Sequence, residues 1–79
     1  MDREFLIHIL RSAREQYARR NTGFVNSAMD TILSHLPENT RGRWSIIQSV
    51  YTHLHPQDKR TSEDVADGIL SVLRERVTK

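Results

Sequence analysis

The chain has 79 residues, a formal net charge of +2 and no cysteine. That length suits one domain, near the lower limit of what folds without a disulfide or a metal. The absence of thiols rules out a disulfide framework, a zinc–thiolate centre and a cysteine nucleophile together, and it makes a reducing, cytoplasmic setting the natural expectation.

The first stretch, MDREFLIHILRS, carries acids ahead of its apolar run, is interrupted by His8 and lacks a small-residue cleavage pattern. It is expected to be neither a signal peptide nor a membrane span, and no membrane partner is expected. Turned at about 100° per residue, Phe5, Leu6, Ile9, Leu10, Ala13 and Tyr17 fall in one arc and predict a first helix. Asn21 and Gly23, both tolerant of left-handed angles, are its expected stop. Ile7 lies outside the arc. Either this helix is central and touches neighbours on two sides, or Ile7 belongs to a partner surface or a homodimer contact, since so short a chain gains stability by burying area in an oligomer.

Phe24, Val25, Ala28, Met29, Ile32, Leu33 and Leu36 predict a second helix, ended by Pro37, which cannot donate into a continuing one. After the PENT punctuation, Trp44, Ile47, Val50, Tyr51 and Leu54 share a face with Ile46 at its margin. The residue before Pro56 is pushed from helical angles, which stops this third helix. The fourth opens at TSED, where Thr61 and Asp64 have capping-box spacing; Val65, Ala66, Ile69, Leu70, Val72, Leu73 and Val77 form its apolar side. No stretch alternates as a half-buried strand would. The similar segments ILSHLP, VYTHLHP and ILSVLRE reflect amphipathic patterning rather than a repeat. The expectation is a single domain over 1–79 of all-α class: a compact bundle or orthogonal array of about four short amphipathic helices.

Ten of the twelve basic residues are arginine, and most have a structural cause. Glu63, Asp64 and Asp67 open helix 4 while Arg74, Arg76 and Lys79 close it; Asp2 and Glu4 lie early in helix 1, and Arg14, Arg19 and Arg20 late. Both patterns complement the helix dipole. Arg41 and Arg43 break the rule, because a helix starting near Asn39 or Thr40 places two cations in its positive first turn. A later start, capped by Ser45 and Gln48, would leave TRGRW as a loop with Gly42 free to take unusual angles. Alternatively an anion is expected here, a phosphate or a partner's carboxylate, with Trp44 beside it to stack on a base or anchor a protein contact.

Catalytic chemistry is sparse. His53 and His55 point to different sides of a helix, and His8 and His35 sit elsewhere, so these read as surface or boundary histidines. No metal site, cofactor or catalytic residue is expected. The segment TSEDVADGIL is too acidic for a recognition helix; RGRWSIIQSVYTHL, with Arg41, Arg43 and Gln48 leading, is the better candidate for a DNA groove. The sequence therefore points to a non-enzymatic protein-binding module, a regulator, adaptor or inhibitor of the kind compact phage or plasmid genomes encode. Its contact residues are those left over from structural needs: Arg41, Arg43, Trp44, Arg11 and Ile7, suited to an acidic partner surface. The alternative is a nucleic-acid-binding regulator using the Arg/Trp cluster, doubled in a homodimer, although a charge of +2 is slight for that role.

Overall fold

The computed structural model describes residues 2–36 and 42–77, and the side chains of these residues through Val72. Four helices follow one another: α1 (Arg3–Ala18), α2 (Thr22–Ser34), α3 (Arg43–Leu54) and α4 (Ser62–Val77). Among the described residues there is no strand, so the fold is all-α. None of these helices is long and apolar enough to cross a membrane.

Helix α1 is the hub, packing against α2, α3 and α4, while α3 also meets α4. This position explains Ile7. Lying off the main apolar arc, it is nevertheless buried, joining Leu6 and Leu10 in a core with Met29, Ile32, Leu36, Ile46, Val50, Val65, Ala66 and Ile69. A second cluster at the other end unites Ala13, Val25, Ala28 and Leu54. Ile7 thus serves the core rather than a free surface, because a helix with three neighbours needs more than one apolar stripe. Phe5 and Phe24 are left partly exposed, the former edge-on to the His35 ring at 5.7 Å.

Helix α1 ends earlier than Asn21 or Gly23 suggested. Arg20 adopts the left-handed conformation at φ 62°. The Asn21 N–H donates to Gln16 O and the Arg20 N–H to Tyr17 O, both at 2.9 Å, the paired bonds of a Schellman closure. Asn21 instead starts α2, its Oδ1 accepting from the Phe24 N–H at 3.2 Å, and Gly23 lies within the first turn of α2. Asparagine suits either role, so stop and start signals coincided at one residue. At α4 the expected cap is present: Thr61 Oγ1 accepts from the Asp64 N–H at 3.0 Å.

Helix α3 starts at Arg43 with Gly42 as its N-cap, so Ser45 sits inside the first turn and the Ser45–Gln48 box does not form the start. Gly42 is needed for space rather than for unusual angles, since its φ is −86°. A Cβ placed there would collide with Val72 Cγ1 of α4. Gly68 is the opposite case: within α4, with nothing within 4 Å of an added Cβ. Gly68→Ala is therefore expected to stabilise the fold by about 0.5–1 kcal/mol through helix propensity. Gly42→Ala should instead destabilise it by about 1–3 kcal/mol through overpacking. Urea unfolding of the two variants checks the opposite signs.

Candidate functional site

Arg3 pairs with Asp67 and Arg11 with Glu63, each at 2.7 Å, and both pairs link α1 to α4. Arg19 pairs with Glu15 one turn back at 3.1 Å. Arg14 does not serve the dipole of its own helix. It reaches across to the connection after α3, donating to the carbonyl oxygens of His55, Pro56 and Asp58, the first of which also accepts from the Asp58 N–H. An open cleft of about 570 Å³ lies here, lined by Arg11, Arg14, Pro56, Thr61 and Ser62. Both of its guanidinium groups are occupied by the chain itself. Arg11, expected as a contact residue, is thus tied to Glu63, a pairing across 52 positions that no local pattern announces.

His53 is a larger departure. It is fully buried in the face of α3, not on the surface. Its Nδ1 lies 2.9 Å from Asp58 Oδ2 and its Nε2 2.9 Å from Ser62 Oγ. Asp58 is held further by Arg60, whose Nε donates to both carboxylate oxygens at 3.0 Å. The Arg60 guanidinium also donates to Ser49 Oγ and to Ser49 O of α3. These bonds to Arg60 and His53, the Arg60 contact foremost, hold the Asp58 carboxyl well below the usual carboxylate range against the opposing effect of burial. An ionised Asp58 makes Nδ1–H the donor, so in the neutral imidazole Nε2 accepts from the Ser62 hydroxyl.

The connectivity is that of a Ser-His-Asp relay. Its burial is not. The ring has no exposed surface, and Ser62, in the wall of the cleft, is 6% exposed. The arrangement works as a strut that joins α3, the connection after it and the start of α4. Among the described residues, no three His, Asp or Glu side chains converge to hold a metal ion.

The outer side of α3 is different. Its buried residues are Ile46, Val50, His53 and Leu54, a face turned away from the expected one through Trp44, Ile47 and Tyr51. The cause is His53: once its two hydrogen bonds qualify it for the interior, positions 46, 50, 53 and 54 form a regular stripe and the aromatic residues are rotated outward. Trp44 is 67% exposed and Tyr51 48%. Arg43 is half-buried beside Trp44, with no carboxylate partner among the described residues. No aspartate or glutamate occurs anywhere in α3. Of the expected contact residues, the structure therefore brings Arg43 and Trp44 together at one helix end; Arg41 lies outside the described residues, as do the side chains of Arg74, Arg76 and Lys79. Tyr51, which shares the exposed side with Trp44 and Gln48, was missed because it was assigned to the core.

Two outcomes follow from the strut. His53→Ala should cost about 2–4 kcal/mol, from a cavity and from stranded partners, read by denaturant unfolding. Asp58 and Glu63 both titrate below their ordinary values, Glu63 through its own backbone N–H and then Arg11. Groups lowered in the folded state stabilise it above their unfolded pKa and lose that effect as pH falls through the folded one. Stability should hold from neutral pH down to the ordinary carboxylate range and drop below it, and Asp58→Asn should flatten that drop in thermal melts taken across acid pH.

The chain matches no protein-family model, no curated protein and no solved structure at a significant level.

Proposed function

We propose that this chain is a non-enzymatic protein-binding module, a regulator, adaptor or inhibitor that engages an acidic partner surface through the outer side of α3. The observation that carries the reading is Trp44. At 67% exposed, at the start of a helix, it is the most exposed large hydrophobic side chain among the described residues, ahead of Tyr51 at 48% and of Phe5 and Phe24 at 39%. Tryptophan, tyrosine and arginine are the residues most enriched where binding energy concentrates; Trp44 and Tyr51 share the exposed side of α3, and Arg43, half-buried, is in its first turn. Charge supplies the sign. Arg3, Arg11 and Arg19 of α1 or its C-cap are paired with carboxylates within the chain. Among the described residues Arg43 has no such partner, and α3 offers no carboxylate to repel an acidic partner.

Nucleic acid is the second reading, favoured by the adjacency of Arg43 and Trp44, a pairing that also suits a stacked base beside a phosphate. Affinity capture from the source cell's lysate, with and without nuclease, separates the two when run alongside the Trp44→Ala/Tyr51→Ala double variant. The variant should melt within about 0.5 kcal/mol of the parent chain, as exposed positions do. The expected result is a protein that survives nuclease treatment on the parent chain and is lost from the variant. A partner released by nuclease, with affinity falling steeply as salt rises, would transfer the function to nucleic acid.

A further inference from the structure

The open cleft between α1 and the start of α4 holds a positive charge that the chain does not cancel. Of the two guanidinium groups in its wall, that of Arg11 faces the Glu63 carboxylate at 2.7 Å. The contacts of Arg14 are all made through Nη2 and all to carbonyl oxygens, which are dipoles and leave the unit charge in place. Glu15, the other carboxylate in the wall, is paired with Arg19 at 3.1 Å, so among the described residues no carboxylate is paired with Arg14. We propose that this cleft binds a small monocarboxylate with a compact apolar body, its carboxylate held by Arg14. The proposal goes beyond the reading of the outer side of α3 and does not depend on it.

Access, charge and wall each select the ligand. Arg14 is half-buried, its Nε and Nη1 make no hydrogen bond, and no buried side-chain nitrogen or oxygen among the described residues is left unpaired, so both nitrogens reach solvent. They are donors only, and a bond from a guanidinium to an ionised oxygen is stronger than one to a neutral group. One uncancelled cation beside two carboxylates that already have partners balances a single negative charge. A doubly charged anion such as hydrogen phosphate brings a surplus that Glu15 and Glu63 repel. Ala18, Leu54 and Pro56 supply apolar wall, and Thr61 a hydroxyl whose oxygen accepts from the Asp64 N–H while its own proton is left to donate. The volume of about 570 Å³ falls among small-molecule sites, which run from roughly 300 to 1,000 Å³ and combine apolar lining with a few placed polar groups. A phenyl or branched alkyl group beside the carboxylate uses that apolar wall; acetate does not.

The test is titration of the full, isotopically labelled chain with benzoate and with 3-methylbutanoate at fixed ionic strength, followed by NMR, beside benzamide, acetate and hydrogen phosphate. Both carboxylates should give saturable shifts at the Arg14 Nε–H and at the backbone N–H groups of Ala18 and Thr61, with the three comparison compounds each at least about tenfold weaker. The Trp44 indole N–H, on the outer side of α3, should stay where it is. Ala18→Glu adds a negative charge at an exposed position in the cleft and leaves the Arg14 contacts alone; it should weaken benzoate at least about tenfold while the helical circular dichroism is retained. Equal affinity for benzoate and benzamide would show an apolar site without charge recognition, and hydrogen phosphate as tight as benzoate would show a general anion site; either overturns the monocarboxylate. Shifts that Ala18→Glu leaves unchanged, or no saturable shift at millimolar benzoate and 3-methylbutanoate, would overturn the cleft as a site. A short peptide ending in a free leucine carboxylate that binds at least about tenfold tighter than 3-methylbutanoate would replace the small molecule with the C-terminus of a partner.

Discussion

His53 can occupy the interior of this small protein only because Asp58 and Ser62 meet its two ring nitrogens. A buried imidazole without partners costs more than a surface one, so the contact is all or nothing: with both bonds made the ring fills space as a hydrophobe would, and with one missing it is a liability. The two partners come from the connection after α3 and from the first turn of α4. The strut therefore fixes where the chain leaves one helix and enters the next. Arg60 extends it, running from Asp58 back to Ser49. Arg14 closes it from the side of α1. A connection of a few residues is thereby held by three helices at once.

The same constraint sets which side of α3 is exposed. Rotation of α3 about its axis is set by which residues must point inward, and His53 adds a polar residue to that set. Satisfying it turns Ile46 and Val50 fully inward and leaves Trp44 and Tyr51 outside. Internal polar chemistry on one side of the helix thus determines which side chains are exposed on the other.

Much of the architecture was legible from the residues. The number of helices, the cap at Thr61 and the stop before Pro56 all follow from local chemistry that the chain states openly. What failed was orientation. Hydropathy treats histidine as polar, so a wheel built on apolar residues alone drew the face of α3 toward Trp44 and away from Ile46. Nothing within α3 itself signals that Asp58 and Ser62 will rescue His53, because neither partner belongs to that helix. Ile7 posed the reverse problem: an apolar residue off the main stripe had two explanations, and only the central position of α1 decides between them. Arg11 and Arg14 find partners 52 and 41 to 44 positions away, a scale on which local rules are silent. Arg43 was legible in part, as a cation out of place at a positive helix end.

The reach of Arg14 has a consequence for how the molecule assembles. The turn between α3 and α4 is completed by a side chain from the far end of the sequence, so that pair of helices is not a self-sufficient unit; detached from α1, it would keep its imidazole bridge yet leave three carbonyl groups without their cation.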